Sequence, residues 1–193
     1  MSGKSIGVMT EPTRRRLTDR QADTVRRLTD AAVEELRESG YDGLTVRNVA
    51  RRAGVAAATA YTYFASKNHL ITEVFWRRLT ALPPVPADDD PPADRVVAVL
   101  REITLLLSDE PALAAACTTA MLGSDPDVQE LRSRIGVAIR HRLLDALGAD
   151  PEPRVLAGLE MIYTGAMVHA GMGHTSYTAI AGQLSEVARL IVR

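Results

Sequence analysis

Between Arg47 and Lys67 the chain collects side chains suited to gripping phosphates and reading base edges. Arg47 and Arg51 are four residues apart, so on a helix they share a face and can reach backbone phosphates. Ala57 and Ala58 are small enough to let a helix N-terminus and its amides approach a duplex closely. Thr59 and Thr62 add short hydroxyl reach. Tyr61 and Tyr63 each join an apolar ring to a hydroxyl, which suits a phosphate oxygen or a thymine methyl. Tyr61, Tyr63 and Phe64 are three of the chain's seven Tyr and Phe residues, packed into four positions behind a run of alanines. Phe64 is expected to turn inward and anchor the segment. Lys67 is one of two lysines among 23 basic residues. In the first turn of a helix its charge opposes the helix dipole, so it needs another partner, and a phosphate fits.

Other reactive side chains form no comparable set. Cys117 is the single cysteine, which excludes an intrachain disulfide and fits a reducing compartment. Among alanines and threonines it reads as a small buried side chain, with a sensor thiol as the alternative. His141 and Asp145 are four apart, but two ligands without a third read as a solvated pair. His169 and His174 are five apart and are expected on different helix faces. There is no phosphate loop or nucleophile elbow. No catalytic residue, metal or cofactor is expected, and an all-α enzyme using Cys117 or His141 is the remote alternative.

The elements that must position Arg47 to Lys67 can be read from caps and periodicity. With 193 residues, nearly half of them apolar, the chain can bury a substantial core. It shows no signal peptide or membrane span, so a cytoplasmic protein without a membrane partner is expected. Net charge is −1, yet residues 14–78 carry thirteen Arg and Lys against eight Asp and Glu, and residues 79–193 carry nine against fifteen. A basic front and an acidic rear suggest that the front meets a polyanion. Residues 1–17 read as a disordered arm. Thr18 to Gln21 fits a capping box, followed by Val25, Leu28, Ala32 and Leu36 at helical spacing. Ser39-Gly40 ends that helix, and Thr45 caps a short second one. Gly54 breaks it, and a third runs over about Ala56 to Tyr63. A fourth starts near Ser66 and stops before Pro83-Pro84. After "PPVPADDDPPAD" come helices over Arg95–Leu107, Pro111–Leu122, Pro126–Leu147, Pro153 to about Gly173, and Thr178–Val192. No run alternates with period two. The fold class is all-α, with about nine helices.

Two short helices joined through Ala53-Gly54-Val55 make a helix-turn-helix whose second helix would enter the major groove. The block "GYDGLTVRNVARRAGVAAATAYTYFASKNHL", Gly40 to Leu70, resembles the TetR family of transcriptional regulators. Gly40, Thr45, Val46, Val49, Ala50, Ala53, Gly54, Val55, Thr59, Tyr61, Tyr63, Phe64, Ser66, Lys67 and Leu70 match the family's pattern. Ala56, Ala58 and Ala60 depart from it. The resemblance implies that Thr59, Tyr61, Tyr63 and Lys67 contact DNA. It also implies a helix-turn-helix domain over residues 18–65 and a helical effector-binding and dimerisation domain over 66–193.

For the rear domain the resemblance implies a four-helix interface built by the last two helices of each copy. Gly158 and Gly165 would permit close approach there, and Ile180, Leu184, Val187 and Ile191 form an apolar stripe; ordinary core is the alternative. Trp76, Leu106, Met121, Ile139, Tyr163 and Met167 are candidates for lining an internal, mostly apolar effector pocket. The expected function is a dimeric, ligand-responsive transcriptional repressor that binds a palindromic DNA operator and is released by an apolar small molecule. A regulator of the same fold without an effector, or an activator, is the alternative.

Overall fold

The computed structural model describes residues 19–86 and 90–192; the arm at residues 1–17 and the Thr18 cap lie outside them. The described residues form nine α-helices and no strand: α1 (Asp19–Gly43), α2 (Val46–Arg52), α3 (Ala57–Tyr63), α4 (Lys67–Thr80), α5 (Pro92–Leu105), α6 (Pro111–Leu122), α7 (Pro126–Leu147), α8 (Pro153–Gly171) and α9 (Tyr177–Ile191). None is long and apolar enough to cross a membrane.

The punctuation works as its chemistry dictates. Gly40 has φ +68°, a conformation that side chains with a Cβ resist, and it kinks α1 near its end. Thr45 and Ser66 cap α2 and α4, accepting from the amides of Asn48 at 3.1 Å and His69 at 3.0 Å. Proline opens α5, α6, α7 and α8, where its missing N–H is no loss. That explains why α5 begins at Pro92 rather than at Arg95: Pro92 starts the helix instead of belonging to the break.

The front of the molecule is α1 to α3. Val25, Leu28, Ala32 and Leu36 of α1 are buried with Val46, Val49 and Ala50 of α2 and with Ala60 and Phe64 around α3. The rear is α5 to α9, in which α9 packs chiefly on α5 and next on α8. This pairing corrects one expectation. Ile180 and Leu184 are only 6% and 4% exposed, because α9 turns that stripe into its own chain's core.

α4 joins front to rear, touching α1, α6 and α7. Two polar junctions fix it. Ser66 donates to Asp125, which caps α7, so the N-caps of α4 and α7 are bonded to each other. Glu110, nearly buried ahead of α6, is held between Arg78 of α4 and Arg37 of α1, the latter at 3.1 Å.

Candidate nucleic-acid interface and effector cleft

The turn between α2 and α3 is closed from α1. Arg27 donates through Nη2 to the carbonyl of Ala53 and, at 3.2 Å, to that of Gly54. Gly54 has φ +63°, and an added Cβ would come within 3.2 Å of the same guanidinium nitrogen. Glycine therefore serves both the turn and the clasp. Arg52 is also committed to the scaffold: its Nε meets Glu35 at 2.9 Å and its Nη1 meets Glu38 at 2.9 Å. The hydrogen bonds with Glu38 and Glu35 push its pKa further up, and the bond from Arg52 lowers that of Glu38.

With α2 and α3 so held, Arg47, Arg51, Ala58, Thr59, Tyr61 and Thr62 face solvent, and Ala57 is half-buried. Tyr61 is 53% exposed, whereas Phe64 at 2% plugs into the core. The Thr62 hydroxyl donates to the Thr59 carbonyl at 2.6 Å, leaving its oxygen free to accept. Tyr63 is half-buried against the core. It borders a polar recess of about 430 Å³ with Thr59, Gly54 and, from α1, Arg20, Gln21, Asp23, Thr24 and Arg27. Of these, Arg20, Thr24 and Arg27 were missed from sequence, although their i, i+4, i+7 spacing marks one helix face; the Asp23 carboxylate accepts from Arg26.

Lys67 is engaged by its own chain. Its Nζ donates to the Tyr41 carbonyl at 2.7 Å and lies 4.1 Å from the centre of the Tyr41 ring. The partner that a cation at a helix N-terminus needs is supplied within the chain. Tyr41 in turn donates to Asn68, tying the end of α1 to the start of α4.

A cleft of about 450 Å³ lies in the rear, walled by α6, α7 and α8 with Phe75 of α4. Met121, Ile139, Tyr163 and Met167 line it. Burial pushes the Tyr163 phenol pKa well up, so it stays a neutral hydroxyl. Trp76 and Leu106 do not line it. Trp76 is rotated about 100° around α4 from Phe75 and stacks instead under Arg134, 4.6 Å away. Leu106 follows the end of α5, and its neighbour Leu107 reaches a smaller inner chamber of about 30 Å³ that shares Phe75, Met121, Tyr163 and Met167 with the cleft. The cleft is also not sealed, since the exposed Leu122 and Val137 stand among its walls. Near its end α8 meets α6 so closely that a Cβ on Gly171 would sit 2.4 Å from Thr118 Oγ1.

Of the residues expected between copies, Val187 is exposed and Gly165 has nothing within 4 Å of an added Cβ. Gly158 faces Ile191 of its own chain, whose side chain would stand 3.9 Å from a Cβ added at Gly158. Two further apolar residues stand out beside them, Met161 on α8 and Leu190 on α9, at 70% and 71% exposure.

His169 and His174 come together rather than apart, ring centres 4.8 Å from each other, where the chain leaves α8 through Gly173 at φ +78°. His141 and Asp145 are exposed. No group of three metal-ligating side chains occurs among the described residues. Cys117 is buried, donates to the Ile71 carbonyl at 3.7 Å, and has its pKa pushed up by burial to about 12. At neutral pH it is a protonated thiol, and a disulfide-exchange reagent is expected to leave it unmodified until the protein is unfolded. The fold holds this proton more tightly than the unfolded chain, so its contribution to stability declines as pH rises above the ordinary thiol value of 9.0. Rapid native-state labelling at neutral pH would contradict this.

Comparisons with known proteins agree with this geometry. Residues 28–74 match the family model for bacterial regulatory proteins of the tetR family. An uncharacterised HTH-type transcriptional regulator of Mycobacterium tuberculosis (strain ATCC 25618 / H37Rv) is 46% identical over 175 residues, 90% of this chain and 82% of that protein. The HTH-type transcriptional repressor KstR of Rhodococcus jostii (strain RHA1) is 30% identical over 136 residues, 69% of this chain and 63% of that one. Among solved structures, a TetR transcriptional regulator from Rhodococcus sp. RHA1 superposes with a TM-score of 0.73 at 27% identity, covering 90% of this chain and 97% of its own. The helix-turn-helix, the helical rear and these relatives together place the chain in the TetR family of transcriptional regulators.

Proposed function

We propose that the chain is a dimeric, ligand-responsive repressor that binds a pseudo-palindromic operator. Residues 18–65 read the DNA, and residues 66–193 carry the effector cleft and the dimer contact. The observation that carries this reading is the outward row of Thr59, Tyr61 and Thr62 on α3, flanked by exposed Arg47 and Arg51 and anchored from behind by Phe64 and Arg27. The arginines hold phosphates and set register, and the α3 row meets base edges. Ala57 and Ala58 keep the approach open, and Tyr63 with Arg20 and Thr24 borders a seat for a phosphate. Lys67 keeps two donors beyond its Tyr41 bond and can serve the same strand. The relation to a protein named as a repressor supports repression over activation.

Two copies pair through the exposed face of α8 and α9, where Met161, Gly165, Val187 and Leu190 lie. Occupation of the cleft by an apolar molecule shifts the spacing of the two α3 helices, because α7 lines the cleft and is bonded through Asp125 to the N-cap of α4. Only a ligand that favours the non-binding arrangement can release DNA, and only by its differential affinity.

Tyr61→Ala tests the reading. It is expected to lower operator affinity about tenfold, since one base-edge contact is worth roughly 1–3 kcal/mol. Tyr61 is exposed, so the melting temperature is expected to stay unchanged. Anisotropy titrations with labelled duplex across a salt series measure both affinity and its steep decline with salt. Wild-type affinity in the variant would remove Tyr61 from the interface.

A further inference from the structure

We infer that the cleft takes an amphiphile with an anionic head, whose head pairs with Arg132 and whose apolar tail runs along Met121, Ile139 and Met167. The inference rests on the effector reading above and specifies the ligand class of that same cleft. Three charged side chains line the cleft: Arg132, Arg140 and Glu160. Arg140 and Glu160 neutralise each other, with Arg140 Nη1 at 3.0 Å from both carboxylate oxygens. Arg132 is left over. Among the described residues its one hydrogen bond runs from Nη2 to the main-chain carbonyl of Gly123 at 2.6 Å, and no carboxylate pairs with it. Its Nε is buried with no acceptor.

A half-buried guanidinium with an orphaned donor is an unfavourable arrangement in a protein that has nothing to place against it. An anion at the Arg132 end of the cleft gives this charge the partner that the chain does not supply, through Nη1, which is neither buried nor bonded among the described residues, and a cation is repelled there. The rest of the wall explains the tail. Arg132 and Arg140 stand eight residues apart on α7, about 12 Å along the helix. The wall between them is mostly apolar, so the cleft is charged at its ends and greasy in its middle. A purely apolar molecule would fill the middle and leave Arg132 unpaired, and a small anion would leave the apolar wall open. A molecule with both parts satisfies both.

Isothermal titration of the full-length protein with decanoate and decyltrimethylammonium below their micelle concentrations, and with decanol below its solubility limit, tests this directly. The same tail with three heads isolates the charge. Wild-type protein is expected to bind decanoate about tenfold more tightly than decanol, and decyltrimethylammonium more weakly than either. Arg132→Gln is expected to bring decanoate down to the level of decanol while leaving decanol unchanged, and Arg132→Lys to keep part of the preference. If the glutamine variant fails to fold, the wild-type order of heads still decides. Equal binding of decanoate and decanol overturns the anionic head and leaves the apolar cleft standing. A preference for decanoate that survives Arg132→Gln overturns the assignment to Arg132. Failure of all three to bind overturns the effector reading itself.

Discussion

A chain carrying aspartate at both Met161 and Leu190 is expected to sediment as a monomer and to bind operator roughly 10²–10⁴-fold more weakly than wild type. The loss is that of effective concentration, because each free reader must then find its half-site alone. Both side chains are among the most exposed apolar groups of the molecule, on adjacent helices α8 and α9. Charging them costs the isolated chain little, and a copy-to-copy contact that buries them cannot tolerate unpaired carboxylates. Helical content and melting of the monomer are expected to resemble those of a single wild-type chain. Leu184, on the same helix, serves as the contrast. It is buried in its own chain, so aspartate there is expected to unfold the protein rather than dissociate it. Sedimentation velocity separates the outcomes, and a double variant that remains a dimer would locate the interface elsewhere.

Phe64→Ala is expected to destabilise the protein by about 3–5 kcal/mol, as is usual for emptying an aromatic core site. Phe64 is the residue that ends α3, it is 2% exposed, and its ring meets that of His69 edge-on at 5.5 Å. It joins the reading helix to the first turn of α4. Operator binding is therefore expected to be lost even under conditions where the variant remains folded. Urea titration measures the first effect and duplex binding the second. Tyr61→Ala, one turn away and facing out, should show the opposite pattern, with DNA binding weakened and stability kept.

The inward turn of Phe64 was legible in the sequence, since it stands four residues after Ala60 on the core side; Tyr61, only three residues before it, parts from it because α3 ends at Tyr63 and Phe64 leaves the helix in an extended conformation. The caps were legible for the same local reason: Thr45 and Ser66 act on amides three residues away. Facts that depend on distant chain were not. The α9 stripe correctly announced a buried face, but periodicity does not say what covers it, and α5 does. Lys67 was correctly seen to need a partner, which lies 26 residues back at Tyr41. Trp76 was picked for the cleft where Phe75 belongs, because an error of one residue rotates a helical side chain by about 100°. The clasp of Arg27 on Ala53 and Gly54, and the junction of Ser66 with Asp125, join residues too far apart in sequence for spacing to reveal them.

The most direct measurement is selection of duplexes from a random-sequence DNA pool by the full-length protein, followed by the mass of the selected complex in solution. The expected result is an enriched motif of two inverted half-sites on one side of the duplex, their centres about one helical turn, roughly 34–36 Å, or a multiple of it apart, with one dimer or a whole number of dimers bound per site. An enriched single asymmetric site held by one chain would contradict the dimeric reader, and a pool that shows no enrichment at any salt concentration would contradict sequence-specific binding altogether.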